Sequence, residues 1–147
     1  MYLLTKLLLN QGEHMKLVVS DPKTGKTVQV DIPEDKRTLI VGKKVGQEIA
    51  GDDFGLAGYT LKLTGGSDDS GFPMKATISG TRKLKSLVST GPGFNPKSKG
   101  QRKKKMFRGD TYSLEITQIN SMVATPGAES LETLFPKGEK PEGEEKK

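Results

Sequence analysis

Eleven cations fall between Lys75 and Arg108 with no Asp or Glu among them: Lys75, Arg82, Lys83, Lys85, Lys97, Lys99, Arg102, Lys103, Lys104, Lys105 and Arg108. Side chains of this type at this density neutralise a polyanion. Lys supplies a point charge, whereas Arg102 and Arg108 can grip a phosphate bidentately or stack on a base. Each phosphate contact releases counterions, so binding through such a run weakens steeply with salt. Six of these cations lie in the nine residues from Lys97 to Lys105, beside Pro96 and around Gly100, with no apolar anchor. Their mutual repulsion predicts a mobile basic loop over 94–108 that orders on its partner. Phe94 and Phe107 flank the run. Each ring either stacks on an unpaired base or anchors a loop end to the core; with aromatics at 5% of the chain, anchoring is favoured. Arg82, Lys83 and Lys85 flank a predicted strand, so the basic surface continues onto the rigid body.

The rest of the 147-residue chain is mildly acidic, although the net charge is +6. There is no Cys and one His, His14. Disulfides, thiolate metal sites and Cys nucleophiles are therefore excluded, and His-based acid–base pairs and His-ligated metals lose their usual residue. No metal, cofactor or small-molecule substrate is expected. The segment from Gly65 to Lys75, GGSDDSGFPMK, fails as a phosphate-gripping loop because no Gly-Lys-Ser/Thr closes it. It fails as a calcium loop because Phe72 offers no oxygen and no Glu ends it. Asp68 and Asp69 have no basic or nucleophilic neighbour in sequence to form a catalytic pair. The segment reads instead as a shaped loop, with contact to a nucleic-acid backbone through its bare amides as the alternative. Gly65, Gly66 and Gly71 allow positive φ, Asp68 makes side-chain-to-backbone turn bonds, and Phe72-Pro73-Met74 plugs the core.

The elements that must carry these residues read as β. An apolar run over Lys16 to Ser20 ends at the turn chemistry of Asp21-Pro22-Lys23-Thr24-Gly25. Thr27 to Ile32 alternates with period 2, and the two make a hairpin. Leu39 to Val41 is a short buried run, and Lys44 to Ile49 is a strand with a bulge at Gly46. Tyr59 to Leu63, Lys75 to Ser79, Leu84 to Ser89 and Tyr112 to Ile119 complete the set. Six to eight short strands with Gly-rich turns predict a mainly β, small barrel-like domain over 15–125. A short C-terminal helix over 126–136 follows, with Leu131, Leu134 and Phe135 on one face and Pro136 as its stop. Residues 137–147 hold four Lys, four Glu and no large apolar side chain, and are expected to be disordered. Residues 1–14 form an N-terminal extension whose apolar part is too short to span a membrane, and Met15 is the expected natural start.

Three segments in register then carry a resemblance. Residues 65–74, Gly-Gly-x-Asp-x-x-Gly-Phe-Pro-Met, resemble a signature of the archaeal and eukaryotic (e-type) small-subunit ribosomal protein six family. Leu87 to Pro96, followed by Gly100 to Gly109, is similar to that family's Gly/aromatic/Pro loop and basic run. Val45-Gly46-Gln47-Glu48 with Gly51 resembles its upstream segment. The resemblance covers roughly Met15 to Thr125 and implies a β-rich structural protein of the small ribosomal subunit, cytoplasmic on the ribosome, with no catalytic residue and no cofactor. It implies that Arg82 to Lys85 and Lys97 to Arg108 lie against small-subunit rRNA, beside neighbouring ribosomal proteins. Eukaryotic members continue into a long basic helix and a phosphorylated Ser-rich tail. This chain has a Lys/Glu tail in that place, so that regulation is not carried over, and the short form looks archaeal. The alternative from charge alone is a free nucleic-acid-binding β-barrel factor. An enzyme acting through Asp68 and Asp69, or a membrane-surface protein using Tyr2 to Leu9, has less to support it.

Overall fold

The computed structural model describes residues 15–127 and 131–134. Among these described residues seven strands form: β1 (Met15–Ser20), β2 (Thr27–Ile32), β3 (Glu48–Ala50), β4 (Thr60–Asp68), β5 (Lys83–Val88), β6 (Lys103–Arg108) and β7 (Ile116–Thr125). The helical elements described with them are α1 (Glu34–Arg37), α2 (Leu131–Leu134) and a 3-10 turn at Asp52–Phe54. The mainly β, barrel-like expectation holds, but the strands divide into two sheets. Five make a curled half-barrel in the order β2-β1-β7-β4-β3, and β5 and β6 make a separate two-stranded ribbon. Within the half-barrel β1 and β7 run parallel, and the other three pairs are antiparallel.

Period-2 alternation builds the half-barrel core. Met15, Leu17 and Val19 point inward from β1 and Leu61 and Leu63 from β4, all essentially inaccessible. Ile116, Ile119 and Val123 of β7 join them, with Ile40, Leu56 and Tyr112 from the connections. β4 slips register against β7 at three places, which turns its far end, Ser67-Asp68, toward the ribbon.

The Gly65–Lys75 segment differs from its reading as a loop, because Gly65 to Asp68 continue β4. Gly71 has φ 79°, but Gly65 and Gly66 do not have positive φ. Gly66 is required for a different reason. A Cβ there would lie 2.4 Å from the Gln118 carbonyl oxygen, so only a bare backbone lets β4 pass β7 this closely. Lys75 to Ser79 is a turn rather than a strand, and β7 begins at Ile116 rather than Tyr112. Of Leu39 to Val41 only Ile40 is buried; Leu39 and Val41 are exposed. The expected helix over 126–136 is described only as α2, with Leu131 buried and Leu134 against the core. The readings of residues 1–14 and 137–147 fall outside the described residues.

The neighbouring glycines give a paired test. Gly66→Ala should lower stability by about 1–3 kcal/mol in urea unfolding, the usual cost of overpacking. Gly65→Ala, which meets nothing within 4 Å, should be close to neutral. Equal losses would contradict the close-approach argument.

Candidate nucleic-acid interface

Half of the cations in the basic run lie on a strand. Lys103, Lys104 and Lys105 lie in β6, paired residue by residue with β5 from Lys83↔Arg108 to Val88↔Lys103. Of the mobile loop expected over 94–108, residues 103–108 are instead strand. Before that strand, Lys97, Lys99 and Arg102 are exposed around a turn in which the Lys97 N–H donates to Gln101 Oε1 at 2.8 Å. Backbone pairing overrides like-charge repulsion because Lys103 and Lys104 are exposed to water and Lys105 turns to the Gly93 carbonyl, while the backbone bonds across the ribbon.

A second, small core shapes the ribbon. Ile78, Val88, Phe94 and Phe107 pack together, with Phe94 8% and Phe107 1% exposed. Neither ring has a free face for a base, which corrects the stacking alternative. A two-stranded ribbon is not stable alone, and these rings supply its apolar face. The Lys75 ammonium lies 5.1 Å from the centroid of the Phe107 ring, so Lys75 is half-buried against the ribbon.

One face of the ribbon, carrying Leu84, Ser86, Val88, Lys103, Lys105 and Phe107, includes the two side chains that enter this core. Lys105 reaches back to donate to the Gly93 carbonyl at 2.8 Å. The other face carries Lys83, Lys85, Leu87, Lys104, Met106 and Arg108. Its base, Lys83 opposite Arg108, meets the end of β4. Arg82, Lys85, Lys103 and Lys104 are exposed.

The joint between half-barrel and ribbon is the Asp68 carboxylate, whose side chain is fully buried. Oδ2 accepts from Arg108 Nε at 2.9 Å and from Lys83 Nζ at 2.8 Å. Oδ1 accepts from the Ser70 N–H at 2.8 Å and the Phe72 N–H at 3.3 Å. Burial alone would raise the Asp68 pKa, but the bonds from Lys83, Arg108 and the two amides outweigh it and hold the group at about 2. Arg108 also donates to the Thr81 carbonyl at 3.0 Å and pairs with Glu115. Backbone bonds run beside it: the Met74 N–H donates to Gly66, the Arg108 N–H to Pro73 and the Lys75 N–H to Arg108. Tyr112 Oη donates to the Gly65 carbonyl at 2.7 Å, and burial pushes its phenol pKa up.

Arg108 thus departs from its reading as a polyanion contact: it is 6% exposed and its guanidinium is spent inside the protein. Lys83 is also committed to Asp68, and its ammonium lies 5.4 Å from the Phe72 ring centroid. Sequence reasoning missed Asp68 as their partner because 40 residues separate it from Arg108. A usable signal was an Asp in a Gly-rich segment just before an acid-free cationic span.

Fold and charge together define a class: a small half-barrel presenting a cationic two-stranded ribbon. The family model for ribosomal protein S6e matches residues 15–136. The chain is 48% identical over 128 residues to the small ribosomal subunit protein eS6 of Methanocella arvoryzae, covering 87% of this chain and 90% of that protein. It is 47% identical over 120 residues to the eS6 of Methanocaldococcus jannaschii, covering 82% and 89%. With the eS6 of Methanoregula boonei the identity is 42% over 132 residues, covering 90% and 92%. The chain belongs to the ribosomal protein S6e family, a structural rather than enzymatic family of the small ribosomal subunit.

The Asp68 pKa gives the sign of a pH effect. A carboxyl held at about 2 in the fold and near 3.8 when unfolded stabilises the protein above pH 4 and loses that contribution as pH falls toward 2. Asp68→Asn should cost about 2–4 kcal/mol at pH 7 in urea unfolding. The gap between variant and parent should close as pH drops from 4 to 2. A gap that stays constant with pH would contradict the ion-pair account.

Proposed function

We propose that this chain, as a structural constituent of the small ribosomal subunit, holds ribosomal RNA through the exposed cations of the β5–β6 ribbon and of the turn before it. Arg82, Lys85, Lys97, Lys99, Arg102, Lys103 and Lys104 neutralise phosphates. Lys83, Lys105 and Lys75 add field from positions tied to Asp68, Gly93 and Phe107. The observation that carries this reading is geometric: Lys103 and Lys104 sit on a paired strand inside the acid-free span, and all seven of these cations are exposed. Phosphate contacts of this kind position a protein on RNA without reading sequence. Neighbouring ribosomal proteins are the other partners that family membership supports, and the working compartment is the cytoplasm, on the ribosome. Among the described residues no helix is long and apolar enough to cross a membrane.

Replacing Arg102, Lys103 and Lys104 together by Ala should weaken binding to a small-subunit rRNA transcript and leave thermal unfolding unchanged. The plot of log affinity against log salt should flatten by about two to three units, roughly 0.7–0.9 for each lost contact. A filter-binding series with an unchanged slope would overturn the reading. So would a chain that sediments free of small subunits in a sucrose gradient.

A further inference from the structure

Leu87 stands out on the ribbon face turned away from the small core: it is 55% exposed in the middle of the cationic span. It pairs across the ribbon with Lys104, and two residues along the same face Lys85 pairs with Met106. Directly opposed side chains in such a ladder have Cβ atoms about 4.5–5.5 Å apart, and diagonal ones about 7–8 Å. The result is a checkerboard in which two ammonium groups occupy one diagonal and two apolar side chains the other. A surface made only to hold phosphates has no use for Leu87, which leaves apolar area in water.

We propose that this face lies in the minor groove of an RNA helix, with Lys85 and Lys104 on phosphates and Leu87 and Met106 against riboses. The inference rests on the reading that the ribbon binds RNA, and adds which part of the RNA it takes. Three features select the occupant. No Asp or Glu lies between Lys75 and Arg108, so the partner is a polyanion. Binding to single-stranded RNA relies on exposed rings, and Phe107 of the ribbon and Phe94 of the connection before β6 are both buried. Among RNA surfaces, the major groove of an A-form helix is deep and narrow, whereas its minor groove is wide, shallow and lined by sugars. A two-stranded ribbon with apolar side chains between cations fits the second surface.

The test uses the full chain and three probes of one arbitrary sequence: a 20-base-pair RNA duplex, the matching DNA duplex and the single RNA strand, a length of about two helical turns. The RNA duplex should bind most tightly. Leu87→Ala should weaken RNA-duplex binding by about three- to tenfold at every salt concentration without changing the salt slope. Lys104→Ala should instead lower the slope by about 0.7–0.9. Leu87 is exposed, so its loss leaves the fold intact, and matching thermal unfolding checks this. Unchanged RNA-duplex affinity in Leu87→Ala overturns the proposal, as does tighter binding of the single strand. Normal RNA affinity with failure to enter small subunits also overturns it, assigning Leu87 to a protein neighbour. Failure of the underlying RNA reading is recognised separately, by an unchanged salt slope when Arg102, Lys103 and Lys104 are removed.

Discussion

One buried carboxylate sets the geometry on which everything else rests. Asp68 ends β4, and its Oδ2 meets Lys83 and Arg108, which face each other across the base of the ribbon. A single oxygen therefore ties both strands of the ribbon to the half-barrel. Removing a carboxylate from water is costly, and a lone ion pair inside a protein often fails to offset it. Here the remaining oxygen accepts from two backbone amides, so the site is satisfied on both sides. Glu115 completes the arrangement on the far side of Arg108.

That clamp divides the cationic span into two populations. Arg108 and Lys83 are neutralised internally and fix direction. Arg82, Lys85, Lys97, Lys99, Arg102, Lys103 and Lys104 keep their heads in solvent and supply the field. The division matters for affinity. A mobile loop pays for its ordering when it binds, whereas lysines on a paired strand have already surrendered their backbone freedom on folding. The small core of Ile78, Val88, Phe94 and Phe107 serves the same end by stiffening the ribbon beyond the reach of the main core.

Much of this was legible in the sequence, and the failures share a cause. Periodicity located β1, β2 and β5 to within a residue or so, because each shows its own alternation or apolar run. β6 was hidden: Lys103-Lys104-Lys105 reads as solvated loop until β5 is available to pair with it. Tyr112 to Glu115 alternates like a strand, yet Tyr112 is drawn into the core by its bond to Gly65 and the next residues turn before Ile116. The acid-free span was plain from charge counting. That Arg108 belongs to the interior was not, because its partners Asp68 and Glu115 are brought to it only by tertiary structure. The shape of Gly65 to Lys75 likewise acquires its meaning from contact: Gly66 lets β4 pass β7, and Pro73 to Lys75 hydrogen-bond to the ends of both β4 and β6.

The most direct check of the whole account is lysine acylation footprinting, read by mass spectrometry on the free chain and on the same chain within assembled small subunits. Lys85, Lys97, Lys99, Lys103 and Lys104 should label readily when the chain is free and lose most of that reactivity in the particle. Lys83, held by Asp68, should label slowly in both. Equal labelling of the ribbon lysines in the two states would mean that the cationic ribbon faces solvent on the ribosome, and the account would be wrong.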